Sequence, residues 1–421
     1  MMKMVNHRIF SGIGLVHFIL CMLSVSLPIL LPSWHGKLIV VLLFFWLMAF
    51  PQIRLRILLT NVFVLLAISM VTLYILGNIY SKNLTQSKNV IESLAPIALF
   101  SIAIFSLKDN FNGHRLMAIL ICFVVGVLLL NLMSLTFISK SLWDPVHLQS
   151  NIIIANSHIV QIHPAFLSLY ISFSVFFLIE QFFPVQMHNR KKLGWTLFSL
   201  VILIAFLIWI NSRTGILCFL IAALFYSTYS YKRHNKIFMI ALIVFVVANI
   251  FALPFSRERF YKAPMQVLSF GSSEASDPNK YPIVARKQAI NCSIELLKGP
   301  EFFYGYGTGD FRDILKACYE AKGYTLAYEK DLDSHNEYLA QLHRHGIIGL
   351  TLFLGLLILP FLHALKYRSP LLAVFVILFA TTALFETVLS SQKSATFYAL
   401  FCPLLMVFAQ KKYEESNLNK A

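Results

Sequence analysis

At 421 residues the chain has room for two or three soluble domains, yet only 13% of its residues are charged and 58% are hydrophobic, a balance that excludes an ordinary soluble protein. A formal net charge of +16 would point to nucleic acid in a soluble chain, but on this apolar background it is first a signal of membrane orientation, and no nucleic-acid partner is expected. The six cysteines form no CxxC pair and show no zinc-ligand spacing, so neither a metal nor a cofactor is expected.

Apolar stretches able to cross a bilayer recur from end to end, and the lipid bilayer is the first partner they imply. Twelve spans are predicted, at residues 9–31, 37–53, 57–77, 91–107, 115–138, 161–183, 195–211, 214–231, 237–254, 346–363, 370–391 and 394–410. The first run continues past Leu27 without a small-residue cleavage site, so it reads as a retained span. Seventeen Lys and Arg fall on the side of the N-terminus and six in the short connections opposite, which puts both ends in the cytoplasm. The predicted fold is an all-α polytopic membrane protein in three parts: nine spans in 1–254, a large, mainly helical external loop domain in 255–345, and three spans with a cytoplasmic tail in 346–421. Twelve basic and twelve acidic residues cancel in the external segment, so the excess charge lies elsewhere.

Within that segment, 283–298 and 310–321 are predicted as amphipathic helices, separated by a glycine turn at Tyr304–Gly309, and Gly271–Tyr281 is turn-rich. The glycine turn lacks the following GKS or GKT of a phosphate loop and the strand-and-helix context of a dinucleotide fingerprint. A smaller external loop, 139–160, carries Trp143, Asp144, His147 and His158, with His163 and Pro164 just beyond. The 38 phenylalanines are expected to face lipid.

Asp333–Thr351, DSHNEYLAQLHRHGIIGLT, carries the most information. It sets His335 and Asn336 before a helix that enters the membrane at Gly346 and Gly349, small residues that would let it pack closely on a neighbour. A neutral histidine there can take a proton from a sugar hydroxyl, or simply cap the helix. Arg213, in NSRTG at an external span end, either offers its planar fork to a phosphate or snorkels at the interface. Arg286 and Lys287 lie on an amphipathic helix, where solvation is the ordinary fate. Asp333 could orient His335, as could Asp331. Glu386, at an external span end, could face a polar cavity, and Cys292 and Cys318 could pair in an oxidising compartment.

The run His335, Asn336, nine residues, Gly346, two residues, Gly349 resembles the signature of the bacterial O-antigen ligases. Ser212 to Gly215 looks like that family's first arginine motif, and Arg286 with Pro300–Phe311 is similar to its second arginine and glycine-turn region, with Arg257 and Arg259 as competing positions. The span layout fits as well, and a resemblance to the membrane-embedded GT-C glycosyltransferases accompanies it. The resemblance implies a glycosyltransferase of lipopolysaccharide biosynthesis in the bacterial inner membrane, working at its periplasmic face. It implies an O-antigen donor on undecaprenyl pyrophosphate, a lipid A core acceptor, Arg213 and Arg286 on the pyrophosphate, and His335 as the catalytic residue of a metal-independent, inverting single displacement. Asn336, Asp333, Tyr338, His163 and Lys287 are candidate supporting residues. O-antigen polymerases and O-linked protein oligosaccharyltransferases share the signature and stand as alternatives. A transporter or flippase fits less well, because the polar residues collect on one face.

Overall fold

The computed structural model describes residues 12–48, 60–136, 162–182, 190–262 and 282–418; Gly271–Tyr281 and the loop at 139–160 lie outside them. Among the described residues all regular structure is helical. The principal helices are α1 (Gly12–Ile29), α2 (Pro32–Met48), α3 (Val62–Gly77), α4 (Leu84–Ser106), α5 (Gly113–Thr136), α6 (Pro164–Gln181), α7 (Arg190–Ile210), α8 (Arg213–Tyr229) and α9 (Arg233–Ala252). They continue with α10 (Pro282–Leu296), α11 (Phe311–Ala321), α12 (Glu337–Lys366), α13 (Pro370–Ala383) and α14 (Gln392–Leu418). Seven, namely α4 to α7, α9, α12 and α14, are long and apolar enough to cross a membrane; α1, α2, α3, α8 and α13 are shorter apolar helices that overlap the other predicted spans.

Local sequence sets many of the helix starts. Asn61, Asn83, Ser212, Asn336 and Ser369 each accept a backbone N–H of the first turn, and Pro164 and Pro370 open their helices where a missing N–H costs nothing. Several hydroxyls inside the apolar helices bond back to the preceding turn, as Ser101 does to Ile97 and Ser134 to Leu130, so these donors are satisfied in an apolar setting.

α14 and α6 form the centre of the bundle, buried almost throughout, with α4, α5, α7, α8 and α13 packed around them. The phenylalanines do more than face lipid. Phe18, Phe44 and Phe198 are exposed, but Phe123, Phe173, Phe397 and Phe401 interlock with Tyr170 between α5, α6 and α14, with ring centroids 4.7 Å apart for Phe123 and Phe401. Aromatic edges and faces attract where lipid tails and aliphatic side chains are equally apolar, so rings give these helices a specific contact.

The span expected at 370–391 ends at Ala383, and residues 384–391 turn back toward α12. Hydropathy carries the prediction through Val388 and Leu389, but the backbone there finds polar partners across the gap. Leu389 N donates to Glu337 at 2.9 Å and Ser390 accepts from Arg344 at 2.8 Å, bonds that replace those of a continuing helix.

α12 is broken inside. His345 and Gly346 leave helical geometry, with Gly346 at φ 60°, close to the boundary expected between the external segment and the tenth span. A break frees carbonyls that must find donors. The glycine turn supplies them: Tyr306 N donates to His343 O at 2.6 Å and Gly307 N to Arg344 O at 3.0 Å. The same turn holds the α3–α4 connection, where the Asp310 carboxylate accepts from Lys82 N and Asn83 N and the Ser81 hydroxyl accepts from Gly309 N. Tyr304–Gly309 is therefore a brace across a helix break. Gly346 makes its close approach to the backbone of the short helix Glu301–Tyr304, at Phe303 and Tyr304, whereas Gly349 has its nearest contacts on its own helix, at Gln341 and His345.

A Cβ at Gly346 would lie 2.2 Å from the Phe303 carbonyl carbon in a left-handed backbone, whereas at Gly323, also left-handed, it would meet nothing within 4 Å. Gly323→Ala is expected to cost about 1 kcal/mol from backbone preference alone and Gly346→Ala several-fold more. Equal shifts in the melting temperature of the detergent-solubilised protein would contradict this account of the break.

Candidate functional site

The segment that presents His335 is shaped by its own short polar side chains. The Asp333 carboxylate accepts from His335 N at 2.8 Å, a local turn that fixes His335 at φ 45°, and Ser334 Oγ donates to Asn336 O. Asn336 then caps α12 through Leu339 N and donates to Leu384 O, while Tyr338 OH donates to Ala380 O. Asn336 and Tyr338 thus join α12 to the end of α13.

Those contacts bring the α13–α14 turn onto His335. His335 Nδ1 lies 3.3 Å from Glu386 Oε2 and 3.7 Å from Asp333 Oδ1. In the tautomer that protonates the nitrogen facing the two carboxylates the lone pair is on Nε2, and Nε2 is buried with no hydrogen-bond partner. Glu386 Oε1 is 3.2 Å from Arg286 Nη2 and 4.0 Å from His163 Nδ1. One carboxylate, its side chain 7% exposed, therefore binds the histidine and the second arginine together. Burial alone would raise the Glu386 pKa, but His335, His163 and Arg286 overcome it and hold the value below the usual carboxylate range. Asp333 behaves alike: burial is outweighed by His335, a hydrogen bond from Thr387, and Arg312. Asp331 and Asp333 share Arg312, at 3.7 and 3.6 Å. Among the described residues no group of three His, Cys, Asp or Glu side chains could hold a metal ion.

Arg213 opens α8, and its motif NSRTG is legible residue by residue. Asn211 takes the left-handed turn at φ 49°, Ser212 caps through Gly215 N, and Gly215 lets α8 press against Ser168 of α6. Arg213 is in electrostatic range of Arg286 and of Arg259, which lies on a π-helical turn, Glu258–Lys262. Burial, then Arg213 and Arg286, lowers the Arg259 pKa. Neither Arg213 nor Arg259 meets a carboxylate among the described residues, so the cluster attracts anions. Lys287 is exposed on α10, away from Glu386, and His163, 46% exposed, caps α6 at the rim. Cys292 and Cys318 are joined by a disulfide that ties α10, the helix of Arg286, to α11.

The sequence reading left the role of Glu386 open and passed over Glu337 and Arg344. Glu337 and Arg344 sit seven residues apart, on one face of α12, and both are buried. Arg344 Nη1 is 3.8 Å from Glu337 Oε1, and Gln341 donates both to Glu337 and to Tyr74 OH at 2.6 Å. That spacing was the available signal for a buried pair.

The helices and the site define a multi-pass helical membrane protein whose histidine and arginines gather where helix ends meet a folded, disulfide-bonded segment. Residues 198–354 match the family model described as O-antigen ligase, so this stretch of the chain is similar to that family. The matched stretch carries Arg213, Arg259, Arg286 and His335 but not Glu386. It supports a ligase- or polymerase-type function, that of a membrane glycosyltransferase-like enzyme using lipid-linked polysaccharide. No curated protein matches the chain closely enough to stand as a relative.

Because the folded-state pKa of Glu386 is depressed, its stabilisation is complete above the ordinary glutamate value, about 4.3, and is lost as pH falls through the lower folded value. Wild-type protein should therefore lose more melting temperature between pH 5 and about 3 than Glu386→Gln does. Parallel acid profiles would show that this carboxylate is not coupled to His335, His163 and Arg286.

Proposed function

We propose that the protein is an O-antigen ligase that moves O-antigen polysaccharide from undecaprenyl pyrophosphate to a sugar of the lipid A core, at the periplasmic face of the inner membrane. The observation that carries the reading is the contact of Glu386 with both His335 and Arg286, which leaves His335 Nε2 unpartnered beside a cationic cluster. His335 Nε2 takes the proton of the acceptor hydroxyl as its oxygen attacks the anomeric carbon. The bond from that carbon to the pyrophosphate oxygen breaks, and the configuration inverts. Glu386 fixes the ring and stabilises the imidazolium that forms. Arg213 and Arg286, with Arg259 added to the pair expected from sequence, neutralise the departing undecaprenyl pyrophosphate. The histidine base and the arginines provide for proton and charge, so the displacement needs no metal.

Two further observations support this assignment. An apolar groove of about 420 Å³ runs between α7 and α9 from Leu197 to Trp209 and Leu253, and suits a polyprenyl tail whose headgroup reaches the arginines beyond. The Cys292–Cys318 disulfide fits an oxidising, extracytoplasmic setting.

The test is a purified reaction with lipid-linked glycan as donor and lipid A core supplied separately. Transfer to lipid A core is the expected outcome; glycan chains lengthened on the lipid carrier and unchanged core would identify a polymerase instead. In the same assay His335→Ala should insert normally and lose about 10²–10⁴-fold in rate. Arg213→Lys should fall by about tenfold or more, since a point charge does not replace a bidentate fork. Full turnover by His335→Ala would remove the proposed base, and dependence on a divalent ion after EDTA treatment would overturn the metal-free mechanism.

A further inference from the structure

A second polar pocket lies at the other end of the same helices. α6 runs from His163 at the candidate site to Glu180, and α12 runs from Glu337 to Lys366. The 18 residues of α6 rise about 27 Å, so the two ends are separated by roughly the depth of a bilayer core. Between the far ends of α6, α8, α12, α13 and α14 is a cavity of about 310 Å³ lined by Glu180, Lys232, Tyr367, Arg368, Phe408 and Lys412.

The charges in this pocket do not cancel. Glu180 is spoken for: Lys232 Nζ lies 2.9 Å from its carboxylate, and Tyr226 OH donates to it at 2.6 Å. Lys412 Nζ donates to a neutral acceptor, Gln181 Oε1, at 3.0 Å, lies 5.8 Å from the centre of the Phe408 ring, and shares the field of Glu180 with Lys232 without an ion pair of its own. Arg368 meets no carboxylate among the described residues, and it occupies a left-handed backbone at φ 49° in the turn between α12 and α13. A non-glycine residue held in that conformation persists only where the surroundings define it. Two exposed cations without an ion pair of their own therefore border an open pocket whose lining also includes the half-buried Tyr367 and the buried Phe408. Basic pockets between membrane helices recognise anionic lipid headgroups.

We propose that this pocket binds the phosphate of an anionic phospholipid on the face opposite the transfer site, with Arg368 and Lys412 on the phosphate oxygens and Tyr367 beside the headgroup. The proposal rests on the multi-pass architecture and not on the transfer chemistry.

The experiment uses the full chain in detergent, with dioleoylphosphatidylglycerol, dioleoylphosphatidylcholine or glycerol 1-phosphate added, read by native mass spectrometry and by melting temperature. Phosphatidylglycerol should be retained and should raise the melting temperature of the wild-type protein above the effect of phosphatidylcholine. Arg368→Gln with Lys412→Gln should weaken retention about tenfold or more, and Lys88→Gln, an exposed lysine paired with Glu92, should leave it unchanged. Protection by glycerol 1-phosphate equal to that by the lipid would support the phosphate site and assign it to a soluble phosphoester. Equal retention of the two lipids by wild-type protein, or undiminished phosphatidylglycerol on a double variant that elutes as a folded monodisperse species, would overturn the proposal. Glycosyl transfer is not read in this assay, so its outcome is independent of the ligase assignment.

Discussion

A helix that breaks inside a protein must have its freed carbonyls answered, and α12 breaks at His345–Gly346. The donors are backbone amides of the glycine turn, and they arrive only because Gly305, Gly307 and Gly346 permit backbones to approach more closely than any side chain would allow. The consequences spread outward. The turn carries the α3–α4 connection through Asp310, and the first half of α12 becomes a short, largely buried helix. At its start stands Asn336, and one residue earlier His335. The position of the candidate base is thus fixed by contacts on both sides of a break ten residues away.

That largely buried half-helix carries a cost which the structure offsets by pairing. An unpaired Glu337 or Arg344 at this depth would be destabilising by about 3–5 kcal/mol, whereas the pair with its hydrogen bonds to Leu389 N, Gln341 and Ser390 comes nearer to neutral. The pair adds little net stability, but it ties the α13–α14 turn to α12. Glu386 belongs to the same turn. The buried pair and the site are therefore mechanically linked: the turn that satisfies Glu337 is the turn that delivers a carboxylate to His335 and Arg286.

Much of this was legible in the sequence because membrane helices obey length and hydropathy, and because polar residues at span ends are few. NSRTG announced a capped helix start with an arginine in its first turn, and DSHN announced a polar turn before a capped helix. Glu386 was harder to place, since hydropathy extends a helix through Val388 and only a tertiary partner on α12 stops it at Ala383. Of the glycine pair, Gly346 does pack closely on a neighbour, the short helix Glu301–Tyr304, while Gly349 has its nearest contacts on its own helix. Spacing identifies small residues but not whether they admit a helix, a loop or a break, and the positive φ of Gly346 decides it.

The partition of charge follows from the same helices. Toward the site end, Arg213, Arg259 and Arg286 stand against Glu386, a cluster in which cations exceed carboxylates and an anion completes the balance. At the far end, Arg368 and Lys412 are left over after Lys232 and Glu180 have paired. Both surpluses sit where polar groups can reach water or headgroups, and the apolar helix between them carries none. A net charge of +16 over the chain is the sum of such local surpluses, so it reports neither site by itself. Position along a helix gives the number its meaning, because an arginine at one end of α8 belongs to a cationic cluster while a lysine just beyond its other end closes an ion pair.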